Sequence, residues 1–131
     1  MDLSKYTLED LLLAAMKSEI ESFTVYSTIA EKVKNDLLKD KLRFLAKEEQ
    51  KHKDFIEQVY KAKFPKKTIH IPNTTPVPLP PLIIPDEDTP LSILLKNAMN
   101  AEHTAYEFYQ SLSKQFTKDE NIRNTLSYFA D

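Results

Sequence analysis

The chain has 131 residues, 41% of them hydrophobic and 29% charged, a net charge of −2, eight Pro, and no Cys, Gly or Trp. Without cysteine there are no disulfides, thiolate metal sites or thiol nucleophiles, and without glycine no glycine-rich phosphate loop can be written. The balanced charge gives no footing for nucleic acid. No apolar run approaches the roughly 18 residues of a membrane span, and Met1-Asp2-Leu3-Ser4-Lys5 lacks the basic-then-apolar layout of a signal peptide. The expectation is a soluble, cytoplasmic, helical protein with no nucleic-acid or membrane partner.

All eight prolines fall between Pro65 and Pro90, leaving proline-free blocks at 1–64 and 91–131. Proline is kept out of helix interiors because it lacks the N–H and clashes one turn back. In the first block Thr7 is placed to cap a helix, with Glu9 and Asp10 in its first turn. Leu8, Leu12, Ala15, Met16, Glu19, Phe23, Tyr26, Ala30 and Val33 then recur at three- and four-residue steps. Lys34-Asn35-Asp36 marks a turn, and Leu38, Leu42, Leu45, Glu49, His52, Ile56 and Val59 form the seam of a second helix. The segment 65–90 reads as a stiff connector, its Pro78-Leu79-Pro80-Pro81 as a spacer rather than a docking motif. In the second block Thr89 is expected as the N-cap of a third helix, with Pro90 at its first position. Its stripe is Leu91, Leu95, Ala98, Met99, Glu102, Ala105, Tyr106, Tyr109, Leu112 and Phe116. A fourth helix from about Asp119 carries Ile122, Leu126, Phe129 and Ala130.

The two blocks repeat one another. At an offset of 83, Ala15, Met16, Glu19 and Tyr26 match Ala98, Met99, Glu102 and Tyr109; at an offset of 84, Leu42 and Ala46 match Leu126 and Ala130. Two copies of a helical hairpin joined by a long crossover assemble as an all-α four-helix bundle.

The informative residues are the charged ones on the apolar stripes: Glu19, Glu49, His52 and Glu102. Burying an ionised carboxylate without a partner costs several kcal/mol or forces its protonation. A cation among the carboxylates resolves both the burial and the mutual repulsion. Carboxylate oxygens with one imidazole suit iron, manganese or zinc better than calcium. Each element also has a plainer reading, since Glu-x-x-His pairs occur on ordinary helix surfaces and a core glutamate can simply be hydrogen-bonded. The conjunction on three helices favours a metal. Tyr26 and Tyr109, seven residues after Glu19 and Glu102, are read either as hydrogen-bond partners of the ligand carboxylates or as aromatic core. Glu48 and His103 are expected at the surface, and His70 has no assigned role.

Glu19 with Tyr26, Glu49-x-x-His52, and Glu102 with Tyr109 on repeated hairpins resemble the ferritin-like di-iron carboxylate proteins, specifically the rubrerythrin branch without a rubredoxin domain. The resemblance spans both proline-free blocks. It implies one ferritin-like domain over 1–131, built as hairpin 7–64, connector 65–90 and hairpin 91–131. It implies two iron ions, with manganese or zinc as alternatives. Glu19 and Glu102 would be terminal or bridging ligands, Glu49 the bridge and His52 a terminal ligand, with no catalytic residue beyond these. Peroxide or dioxygen is the implied substrate, with an unidentified electron donor and room for a homodimer. Two departures stand against this. The repeat aligns Leu45-Ala46 with Phe129-Ala130, so the second Glu-x-x-His falls past Asp131 and the fourth helix is expected to be incomplete. Peroxidase-type members carry a further glutamate where this chain has Ala105. The competing expectation is a metal-free helical scaffold that keeps the fold.

Overall fold

The computed structural model describes residues 2–74, 76–77, 88–116 and 118–130. Four helices follow in order: α1 (Leu8–Lys32), α2 (Asp36–Lys63), α3 (Leu91–Ser113) and α4 (Glu120–Ala130). The all-α expectation holds, and each helix lies in a proline-free block. Side-chain caps start three of them. Thr7 accepts from the Asp10 amide at 3.1 Å, Asn35 from Leu38 at 3.0 Å, and Asp119 from Ile122 at 3.1 Å. Each satisfies a donor that the helix cannot satisfy internally. At α3 the expectation was one residue out: Pro90 itself occupies the N-cap position, with no side-chain cap bond. Among the described residues none has positive φ. A chain without glycine closes these turns with extended residues, as at Val33 and Asn35.

The helices pack as two antiparallel hairpins, α1 with α2 and α3 with α4, and α1 also packs on α3. Tyr26 of α1 meets Glu102 of α3 while Tyr109 meets Glu19, so α1 and α3 run antiparallel. It follows that α2 and α3 run the same way, so α2 ends and α3 begins at opposite ends of the bundle. Val77, buried at 3% exposure, packs with Leu3 and Tyr60 at the end where α2 finishes. The Pro78-Leu79-Pro80-Pro81 spacer lies outside the described residues.

The core divides in two. One cluster joins Leu11, Leu12 and Met16 of α1 to Ile56, Val59 and Tyr60 of α2, Phe108 and Leu112 of α3, and Leu126 of α4. The other joins Val25, Ile29 and Val33 to Leu42, Ala46, Leu94 and Ala98, with no contribution from α4 among the described residues. Burying each large aliphatic side chain contributes about 1.5–3 kcal/mol before entropy is counted. Among the described residues the second cluster draws on the first three helices only. Met99 is 72% exposed, and Tyr106 and Phe23 are 40% and 38% exposed, so these three stripe members are not core.

Candidate metal centre

Between the two apolar clusters lies a polar layer. Glu19, from the middle of α1, is buried to 2% exposure and Glu49, from the middle of α2, to 8%. His52 follows Glu49 by one helical turn and therefore shares its face. The four-plus-three spacing that puts Leu45 and Ile56 on the α2 seam puts Glu49 and His52 there too. One ligand atom from each of Glu19, Glu49 and His52 lies within 4.8 Å of the other two. His52 Nδ1 stands 3.6 Å from Glu19 Oε1.

Two tyrosines cross the bundle to this layer. The Tyr109 hydroxyl donates to Glu19 Oε1, and the Tyr26 hydroxyl donates to Glu102 Oε1. Each reaches the glutamate of the other hairpin. Seven residues carry a helix about 10.5 Å along its axis, too far for a phenol to bond the glutamate on its own helix. Antiparallel pairing of α1 and α3 makes the exchange reciprocal. Burial first, and the carboxylates second, hold both phenols well above the ordinary tyrosine range, so both remain donors.

The layer carries more acid than it can ionise. Desolvation raises Glu19 above the ordinary carboxyl range, and Glu102 adds to the rise, while bonds from Glu49 and Tyr109 oppose it. Glu49 is pushed up to about 10, by desolvation first and then by its bond to Glu19 and the charges of Glu19 and Glu102. Burial thus holds both carboxyls toward the protonated form, and the two share a hydrogen bond. Burial lowers His52, keeping its imidazole neutral and able to coordinate. Glu19 Oε2 is buried without a hydrogen-bond partner. Buried polar atoms are rarely left so. A bare carboxylate oxygen beside a neutral imidazole and an exchangeable proton fits a divalent cation, by both position and chemistry.

Glu102 is placed differently from the other three. It is exposed, on α3. It is held by Tyr26 and acts on Glu19 and Glu49 through its charge, but it stands outside the three-residue cluster. His103 is at the surface, 3.3 Å from Glu107, Glu48 pairs with Lys51 at 3.2 Å, and His70 is exposed.

Two features went unread in the sequence. Phe129 of α4 stacks on the His52 ring, 3.9 Å between centroids; the repeat marked Phe129 only as a core position. Tyr60 and Lys67 both bond Glu9 Oε2 at 2.9 Å, tying the start of the connector to α1. Charge spacing could not pair residues so far apart in the chain.

No curated protein gives a significant match. Among solved structures, a hypothetical protein from Pyrococcus furiosus is similar at 33% identity with a TM-score of 0.88, over 98% of this chain and 82% of that one. No helix among the described residues is long and apolar enough to cross a membrane. The Rubrerythrin family model matches residues 10–131, which agrees with the paired helices and the carboxylate–histidine layer, and the chain belongs to the Rubrerythrin family.

Proposed function

We propose that the chain works as one ferritin-like unit that holds a redox metal, iron first, in the polar layer and acts on peroxide or dioxygen. The observation that carries this is the buried, unpartnered Glu19 Oε2 within reach of Glu49 and His52. Glu19, Glu49 and His52 are the residues that would hold the metal, and Glu102 would close the layer from its open side. Two ferrous ions, when bound, supply the two electrons that, with two protons, reduce a peroxide to water and an alcohol or a second water. The protein's own part is mostly proton and position. Glu49 gives up its proton as the cation enters, so binding strengthens as pH rises. Tyr109 and Tyr26 fix the rotamers of Glu19 and Glu102 by hydrogen bonds, as partners of ligands generally do. The two apolar clusters flank the layer and exclude water above and below. These 131 residues contain no cysteine to carry an electron-transfer iron site, so the reductant comes from outside them.

Metal analysis of purified wild type beside Glu49→Ala tests this directly. Wild type is expected to hold iron, manganese or zinc and the variant to lose it; equal, negligible metal in both ends the proposal. A metal-free scaffold remains as a second reading because the Glu49–Glu19 and Tyr109–Glu19 bonds also tie the layer together without a cation. It predicts a melting temperature indifferent to chelator.

A further inference from the structure

We propose that Phe129 is a positioning residue for His52, holding the plane of its ring on the Glu19 side; this rests on the metal reading above. A histidine ring turns about a broad, roughly two-fold torsion, so a ligand imidazole needs an outside contact to fix it. In metal sites that contact is usually a hydrogen bond to the second nitrogen. Here an aromatic face serves. The Phe129 and His52 rings stack at 3.9 Å with 25° between their planes. Tyr109 meets the His52 ring edge-on at 6.4 Å and 75°, which limits rotation from a second side.

Phe129 is itself locked in place. It stands edge-to-face against Phe55 of α2 at 5.5 Å and 85°, and against Tyr109 of α3 at 5.6 Å and 82°. Offset-stacked and T-shaped geometries are the favoured arrangements of aromatic pairs. One α4 side chain thus touches both a candidate ligand, His52, and the tyrosine that bonds a second, Glu19. The repeat-related position in the first hairpin is Leu45, which has no ring, so the device belongs to α4 alone.

The test adds zinc or cobalt(II) to metal-free protein carrying Phe129→Leu, Phe129→Tyr or Phe116→Leu. Phe116 is a buried aromatic of the same cluster without a contact to His52. Phe129→Leu is expected to weaken both metals about 10–100-fold and to change the cobalt visible spectrum, while Phe129→Tyr stays within about threefold of wild type. Phe116→Leu should lower the melting temperature yet leave affinity and spectrum alone. In the metal-free protein, Phe129→Leu should also shift the His52 ring-proton resonances as the stacked ring current is lost. If Phe129→Leu does not fold, Phe129→Met carries the same expectations. Wild-type affinity and spectrum in a ringless variant would overturn this inference while leaving the metal site standing. Failure of wild type to bind either metal would overturn both.

Discussion

At Glu49 a carboxyl sits where its charge is least welcome, since burial and Glu19 push it up to about 10. Its folded value lies above its unfolded one. The associated stability is therefore full below about pH 4.5 and is lost as pH rises toward 10. Glu49→Gln keeps the shape and a donor toward Glu19 but cannot ionise. Metal-free Glu49→Gln is expected to exceed wild type by about 1–3 kcal/mol at pH 8–9 and to match it near pH 4. Urea unfolding across that range measures it, against an opposite trend from His52, whose lowered value favours the fold as pH rises. The tyrosines differ in what they leave behind. Tyr109→Phe strands a buried Glu19 oxygen and should cost about 1–3 kcal/mol, whereas Tyr26→Phe frees an exposed Glu102 that water can serve and should cost under about 1 kcal/mol. Equal losses by thermal melting would contradict the burial difference between the two glutamates.

At the level of the helices, the informative contrast is between leucines. Leu112 and Leu126 are fully buried where all four helices meet, whereas Leu37 opens α2 at 81% exposure. Leu112→Ala and Leu126→Ala are each expected to cost about 2–5 kcal/mol, through lost burial and the cavity left behind. Leu37→Ala should stay within about 0.5 kcal/mol. Denaturant midpoints decide, and a large loss at Leu37 would mean that its face is covered in solution. The α1–α3 seam rests on small residues: Ser22, Ala98 and Ala101 line it beside Tyr26. Small side chains let the backbones come close enough for the two tyrosines to cross.

For the whole molecule, the polar layer divides the core into two apolar clusters, and a bound cation would join α1 to α2 across that division. Zinc or manganese at about 100 times its dissociation constant should stabilise wild type by about 2.7 kcal/mol, and a chelator should remove the gain. The same titration of Glu49→Gln should give no gain. If wild type melts identically with metal and with chelator, the layer is a structural network and the scaffold reading prevails.

Much of this was legible in the residues alone, because helices are local. Proline position, the Thr7 cap, the polar turn at Lys34-Asn35-Asp36 and three-four spacing report on neighbours within one or two turns. They located the helices, the repeat and the faces of Glu19, Glu49 and His52. Periodicity places a side chain on a face but says nothing of what stands opposite. Only the antiparallel meeting of α1 and α3 decided that Tyr26 serves Glu102 and Tyr109 serves Glu19. Only the reach of α4 decided that Phe129 covers His52, while Met99, on an equally regular stripe, is left exposed. A stripe becomes core when another element covers it, and that cover is a property of packing rather than of sequence spacing.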